Sequence, residues 1–324
     1  METAKGREIS HSELRELFLR EGDVDVGFVE ITRKELGDKK GLLNKISPDV
    51  RSIASIVIRL NRPNLLTPMR NLNSFEGHQT AHNLNKIQDR IIRVLRDQGV
   101  SAIRIPMAFP IDFTAIDGPD YIKHQPVAVQ AGMGLMGDSG LLLHPKWGSA
   151  VFLSTILMNC TLDTYDQALT ENPCIKCNIC ALACPTAAIS KNGEFDRRPC
   201  QTHNYREATP GFYDFVDALV SSQDMAEFSQ RFTVFETLSW GQSLLSGTAY
   251  KCNNCQAVCP AGTENIAQYR TSPKEYVKYM SDLFLHRPEF VYVTPGSKAE
   301  EVVLKNPVKK IRYVGKHKPD SAKN

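Results

Sequence analysis

The chain has 324 residues, 42% hydrophobic and 23% charged, the composition of an ordinary globular protein of two or three packed units rather than of a disordered or fibrous chain. Its net charge, 39 − 36 = +3, is too small by itself to select a polyanion as partner, and no apolar run approaches the ~20 residues of a membrane helix. Residues Met1 to Arg20 hold neither an apolar signal core nor a twin-arginine pair, so the expected location is cytoplasmic, where thiols stay reduced and disulfides are disfavoured.

In chain order, Ser10-x-x-Glu13 reads as a capping box, Leu14, Leu17 and Phe18 as the apolar stripe of the helix behind it, and Gly22 as its stop. Alternating Val24, Val26 and Phe28 predict a strand, and Ile53 to Leu60 another, ended by turn signals at Asn61 to Pro68. Leu84, Ile87, Ile91, Ile92 and Leu95 recur at helical spacing up to Gly99. His78 and His82, four apart near the expected start of this helix, share a face, as a metal pair or as exposed side chains would. Ser101 to Ile105 is a short strand. Ala150 to Met158 is the most strand-like segment of all, and the apolar run leading to Cys160 marks that thiol as buried and inert on a strand.

Gly132-x-Gly134-x2-Gly137 formally matches a dinucleotide-binding fingerprint, which needs a strand before it, a helix after it and an acid about twenty positions on. Here Val127, Ala128 and Ala131 read as the end of a helix and Leu141 to Leu143 as a strand, and no Asp or Glu lies between Ser139 and Leu162. The order is reversed and the ribose ligand missing, so the glycines are read as places of close backbone approach.

The chemistry-bearing pattern is Cys174-x2-Cys177-x2-Cys180-x3-Cys184-Pro185, answered by Cys252-x2-Cys255-x3-Cys259-Pro260, with Cys200 between. The first run has the spacing of bacterial ferredoxins, in which the fourth cysteine ligates the other cluster of a pair. Two 4Fe-4S clusters need eight thiolates, which these cysteines supply. The same rule groups Cys174, Cys177, Cys180 and Cys259 around one cluster and Cys184, Cys200, Cys252 and Cys255 around the other. Zinc, which favours paired Cys-x2-Cys units, suits a triple run less well. Between the two runs, Phe212, Phe215, Val216, Leu219 and Val220 predict a helix face, and the stretch up to Leu245 another helix, both packing around the clusters. The basic stretch from Lys305 to Asn324 reads as solvated tail, with RNA contact as the alternative.

Taken together, Ala131-Gly132-Met133-Gly134-Leu135-Met136-Gly137, Gly140-Leu141-Leu142-Leu143, Gly148, the strand to Met158 and the cysteine layout resemble epoxyqueuosine reductases and reductive dehalogenases. Val26-Gly27-Phe28 and Ile53 to Ile58 extend the likeness over most of residues 20–270. The resemblance implies an α+β protein: a nitroreductase-like mixed α/β sandwich binding cobalamin and substrate over residues 1–165, then a bacterial ferredoxin-like domain with two 4Fe-4S clusters and a helical insertion over 166–272. A basic C-terminal extension would occupy 273–324. It further implies electrons passing from a ferredoxin- or flavodoxin-type donor through the clusters to cobalt, and then to a small molecule or a modified nucleoside in tRNA. Gly132, Met133, Gly134, Gly137 and His124 become candidates for the cobalamin site. Asp117, one residue out of the family's register, becomes the candidate proton donor, followed by Tyr121 and Asp120. An electron-transfer or corrinoid-handling protein without catalysis of its own is the alternative. Two departures stand out: respiring dehalogenases carry a twin-arginine signal, and many epoxyqueuosine reductases carry a tRNA-contacting helical-repeat extension, whereas about fifty residues follow the expected cluster domain here.

Overall fold

A four-stranded antiparallel sheet organises the first half of the chain. The computed structural model describes residues 7–36, 46–107, 110–111, 114 and 123–315. Strand β1 (Glu8–Ile9) leads into α1 (His11–Leu19) and then β2 (Val24–Glu30); β3 (Ser52–Arg59), the short α2 (Arg62–Leu66), the long α3 (Arg70–Asp97) and β4 (Ala102–Ile105) follow. After α4 (His124–Gln130) come the two-residue β5 (Leu135–Met136) and β6 (Leu142–Leu143), then β7 (Val151–Met158) and β8 (Thr161–Leu162). The sheet order is β2-β3-β7-β4, and β1 pairs parallel with β8.

The central strand β3 explains the layering. Every residue from Ser52 to Ile58 is buried, because helices cover both faces, and the β-branched Ile53, Ile56, Val57 and Ile58 suit a pleated surface packed on two sides. Alternation sends Ala54, Ile56 and Ile58 to a core with Leu14, Phe18, Leu84, Ile91 and Leu95 from α1 and α3. Ile53 and Val57 go to the opposite core with Val127, Ala128 and Ala131 from α4. Gly27 marks the closest approach: a Cβ there would stand 2.0 Å from the Ala131 carbonyl oxygen, so only glycine lets α4 end against β2.

Local details differ from the sequence reading in three places. The Ser10 capping box does not form: the Ser10 hydroxyl pairs with Ser12 at 2.9 Å, and the His11 N–H donates instead to Asp163 at 2.8 Å. A distant carboxylate thus does the work assigned to the cap. The segment after β3 is a helical turn, α2, rather than an open turn. Finally, α3 starts at Arg70, so His78 and His82 lie within the helix rather than at its start.

The second half is helical. In order come α5 (Ile179–Ala183), α6 (Arg197–Asn204), α7 (Thr209–Ser221), α8 (Met225–Arg231), α9 (Val234–Ser246), α10 (Asn254–Ala257), α11 (Ile266–Thr271) and α12 (Pro273–Met280), then β9 (Glu289–Val293), α13 (Lys298–Leu304) and β10 (Lys309–Tyr313). One apolar cluster joins the halves: Leu60 and Leu65 pack with Ile179, Ala183, Ala257, Val258, Tyr276 and Phe284. The Tyr276 hydroxyl donates to Val258 O at 3.1 Å and accepts from Arg62 at 2.9 Å. The insertion α7–α9 closes around its own small core of Phe215, Ala218, Phe228, Phe232 and Trp240. Only Phe215 of the predicted α7 stripe turns inward; Phe212, Val216, Leu219 and Val220 stay exposed instead of packing around the cysteines.

The basic stretch is not a solvated tail as far as Gly315. β9 and β10 pair in parallel with α13 between them, around Val291, Val293, Ala299 and Val303. Lys309 is buried in an ion pair with Glu289, which Arg70 and Arg287 also engage, and Arg312 pairs with Glu236 of α9. Lys309 and Arg312 are thus consumed internally, while Lys305 and Lys310 stay exposed. Lys316, Lys318 and Lys323 lie outside the described residues.

Candidate functional site

The eight cysteines of the motif, none in a disulfide, sit on short elements with tight turns between them. Asn178 takes a left-handed conformation (φ 60) immediately before α5, which carries Cys180, and Cys184 in extended backbone ends that helix. Among the described residues the non-glycine positions with positive φ are Lys176, Asn178 and Ala187, all in this segment. Such strain is retained where the surrounding structure over-determines it, typically at functional sites. Lys176 is anchored by an ion pair with Asp138, and Asn254 of α10 donates to Ala183 O at 3.0 Å, tying the two cysteine-bearing helices together. Cys200 lies on α6, whose Asn204 accepts from Cys252 N at 2.8 Å.

The thiols fall into two sets. Cys174, Cys177, Cys180 and Cys259 line one small cavity of about 20 Å³ with Asp138, Leu143 and Ala261. Cys184, Cys200, Cys252 and Cys255 all open onto a far larger cavity of about 1130 Å³. The electrostatic neighbours follow the same division: Cys180 feels Cys259, Cys177 and Cys174, whereas Cys252 feels Cys184 and Cys255 feels Cys252, Cys184 and Cys200, with Cys180 the one link across. Burial, the largest cause throughout, pushes Cys180 and Cys252 up to about 12 and Cys200 and Cys259 up to about 11. Cys252 and Cys255 lie deep yet keep some accessible surface, because they face the cavity. Burial thus favours the neutral thiol at Cys180, Cys200, Cys252, Cys255 and Cys259, and a group that binds thiolate would have to displace the proton.

No three His, Cys, Asp or Glu side chains among the described residues converge closely enough to hold a single metal ion. A thiolate quartet whose sulfurs surround a multi-iron core is a wider arrangement, and eight thiols in two quartets are the donor set such cores take.

The large cavity lies between the sheet and the second quartet. Leu60, Leu65, Val151, Phe152 and Leu153 give it an apolar wall, and the amides of Asn73, Asn85, Gln88 and Gln125 give it a polar one. Two buried atoms in that wall lack a partner, Asn73 Oδ1 and His203 Nε2. Burial first, then Arg70, holds His203 down at about 3; its Nδ1 accepts from Tyr292 N at 3.3 Å, which leaves the ring proton on Nε2. Sequence reading missed His203, although it follows Cys200 by three positions on one helix, a spacing that puts both on one face.

The other candidates are dispersed. His124 lines the cavity, its ring nitrogens within 2.8 Å of Thr155 Oγ1 and 3.0 Å of Pro106 O, and burial lowers its pKa. Gly132, Met133, Gly134 and Gly137 do not line it. A Cβ at Gly132 would meet Gln167 O at 2.7 Å, at Gly134 Leu143 O at 2.4 Å and at Gly137 the Leu143 side chain at 2.7 Å, so this run is filled by its own chain, while its neighbours Ser139 to Leu142 face the cavity. Met133 is buried in the sheet core. The helix-then-strand order around these glycines is as expected, and it is not that of a dinucleotide site. His78 faces the cavity and lies 3.0 Å from Thr248 O, whereas His82 is exposed; the two do not form a metal pair. Cys160 is buried, two residues past β7 rather than on it, and burial raises its thiol to about 11. Asp117, Asp120 and Tyr121 lie outside the described residues.

An α/β sheet packed against two cysteine quartets, one of them opening on a large cavity, defines the class: a mixed α/β protein with a paired thiolate site. Comparison with known proteins then gives particulars. No protein-family model matches the chain. It is 30% identical over 143 residues to the epoxyqueuosine reductase of Aliivibrio fischeri, covering 44% of this chain and 31% of that protein. It is 24% identical over 266 residues to that of Shewanella oneidensis, covering 80% and 60%. The match thus spans about a third of the length of the first of these relatives. Among solved structures, an epoxyqueuosine reductase with a tRNA-Tyr epoxyqueuosine-modified stem loop is similar at 17% identity over 78% of this chain and 65% of that one, TM-score 0.46. A catabolic reductive dehalogenase is similar at 15% identity over 83% and 35%, TM-score 0.48. The resemblance to epoxyqueuosine reductases read from the sequence is therefore borne out.

Proposed function

We propose that this chain is an iron-sulfur reductase that binds two 4Fe-4S clusters at its cysteine quartets and a corrinoid in the large cavity. The observation that carries the reading is the opening of the Cys184, Cys200, Cys252 and Cys255 quartet onto that cavity. When bound, the clusters supply single electrons and cobalamin supplies low-potential reduction at cobalt.

The residues present fit these groups. Eight free thiols in two quartets match two cubane clusters in number and donor type. The cavity exceeds the usual range of ~300 to 1,000 Å³ for small-ligand sites, and its apolar wall with a rim of amide side chains suits a large ring bearing amides. Asn73 Oδ1 and His203 Nε2, unpartnered in that wall, are acceptor and donor for such a group. The sheet-side residues Val151, Phe152 and Leu153 exclude water from it, which strengthens every electrostatic contact inside. Met107 and Lys123, flanking the segment that holds Asp117 and Tyr121, both line the cavity. On that ground Asp117 is the proposed acid for the proton that completes the reduction, with Tyr121 next.

The substrate class that follows from the named relatives is a modified nucleoside of the epoxyqueuosine type, and the electron donor a small ferredoxin- or flavodoxin-type protein. The proposed location is cytoplasmic; no described helix is long and apolar enough to cross a membrane. The test is anaerobic reconstitution with iron, sulfide and hydroxocobalamin, followed by metal analysis and electron paramagnetic resonance. About eight iron and one cobalt per chain, with turnover of epoxyqueuosine-containing tRNA, are expected. Eight iron with no retained cobalt would replace the reductase by a plain electron carrier.

A further inference from the structure

We propose that a groove along α5 is the docking site of a small acidic protein that carries one electron at a time; this rests on the two-cluster function proposed above. The two cavities already described each meet one quartet, whereas this groove, of about 540 Å³, meets both, through Cys177 and Cys184. Asn178 and Ala187, two of the non-glycine residues with positive φ, border it on either side of α5. Its wall is apolar: Ile179 and Ala183 of α5, Val277 of α12, Phe284, and Val302 and Val303 of α13. Leu182 also lines it and is 46% exposed, although in sequence it stands between the ligands Cys180 and Cys184.

The charged residues of the groove are all lysines, Lys191, Lys298 and Lys309. Lys309 is paired with Glu289. The other lysine ion pairs among the described residues are those of Lys146, Lys176 and Lys251, so the exposed Lys191 and Lys298 keep their charge free. Glu194 and Glu301, each three positions from one of them, do not line the groove. An apolar centre with a charged rim is the anatomy of a protein interface, and electron-transfer encounters lie at the small, weak end of that range. Free lysines select an acidic partner and speed its approach. In each encounter the carrier loses one electron and a cluster gains it, with no bond made or broken. Leu182, Lys191 and Lys298 do not line the large cavity, so the docked carrier leaves that cavity free for substrate.

Stopped-flow reduction of the full chain, reconstituted anaerobically, by a small acidic ferredoxin tests this, together with calorimetric titration of the same pair in the oxidised state. Lys191→Glu with Lys298→Glu is expected to slow reduction and weaken binding at least about tenfold at low salt, and to flatten the salt dependence of both. Iron content is expected to stay at the wild-type level, and so is the rate of reduction by photoreduced 5-deazariboflavin, a small uncharged reductant. Lys34→Glu with Lys86→Glu, exposed and outside the groove, makes the same change in net charge and is expected to alter little. Should the charge reversal lose iron, Lys191→Gln with Lys298→Gln carries the same test with an expected effect of about threefold. Equal rates and affinities in the wild type and the groove variants, an equal loss in the Lys34 and Lys86 variant, or a loaded wild type that the ferredoxin neither binds nor reduces overturns the docking site and leaves the proposed function standing. A chain that takes up no iron removes both.

Discussion

The two cysteine quartets are alike in chemistry and unlike in setting. Cys174, Cys177, Cys180 and Cys259 close on a space of about 20 Å³, held by the strained turns at Lys176 and Asn178 and walled by Leu143. Cys184, Cys200, Cys252 and Cys255 face about 1130 Å³, beside the buried charges of Glu289, Arg70 and Lys309. Ligand number and type are the same in both, so the difference lies in their spacing along the chain and in what surrounds them. On the proposed function, the enclosed quartet would pass an electron inward and the open one deliver it to a bound group.

The largest effects come from the ligands themselves. Cys177→Ser and Cys255→Ser are each expected to lower iron from about eight to about four per chain, and Cys255→Ser also to abolish reduction in the cavity; iron analysis with paramagnetic resonance checks this. Eight iron in either variant would dissolve the division into quartets. Next, if Asp117 is the acid proposed above, Asp117→Asn is expected to slow turnover by roughly 10²- to 10⁴-fold with iron and corrinoid content unchanged. Full turnover would remove Asp117 from the chemistry.

Glu289 sharpens the contrast through stability. Burial raises its pKa, but Arg70, Lys309 and Arg287 outweigh that and hold it at about 2. The folded state thus keeps the carboxylate charged where the unfolded chain, near 4.5, takes up a proton; the stabilisation is present above 4.5 and is lost as pH falls through 2. Lys309, pulled below its ordinary range mainly by burial, gives part of this back. Glu289→Gln is expected to destabilise by roughly 3 kcal/mol, and its denaturation midpoint to converge on that of the wild type as pH drops from about 4.5 toward 2. The smallest effect is on the closed side. Gly134→Ala, in a left-handed conformation with a Cβ 2.4 Å from Leu143 O, is expected to cost about 1 to 3 kcal/mol. It should disturb the quartet that Leu143 walls, leaving cobalamin retention intact; loss of cobalamin alone would return the glycine run to the cofactor site.

The strands and long helices were legible because their apolar periodicity is local: β3, β7 and the buried face of α3 follow from side chains two or four apart. The ligand set was legible because thiolate spacing is chemistry written in order along the chain. Partners that meet only in three dimensions were not. The Ser10 cap is displaced by Asp163, Lys309 finds Glu289 across a strand pair, and the cavity wall draws Asn73, His203 and Tyr250 from two helices and a connecting segment. The outward α7 stripe was misread because apolar periodicity identifies a face, not what covers it.

Cys259 completes a quartet begun before the insertion, and Cys252 with Cys255 completes one begun at Cys184. With clusters in place, these nested closures act on the chain as cross-links do. The segment between Cys200 and Cys252, about fifty residues, becomes a loop with pinned ends, a constraint worth on the order of 4 kcal/mol of unfolded-state entropy if it behaves as a disulfide loop of that length does. Iron would then be a staple as well as a conductor, and the insertion could be lengthened, shortened or exchanged without moving either quartet.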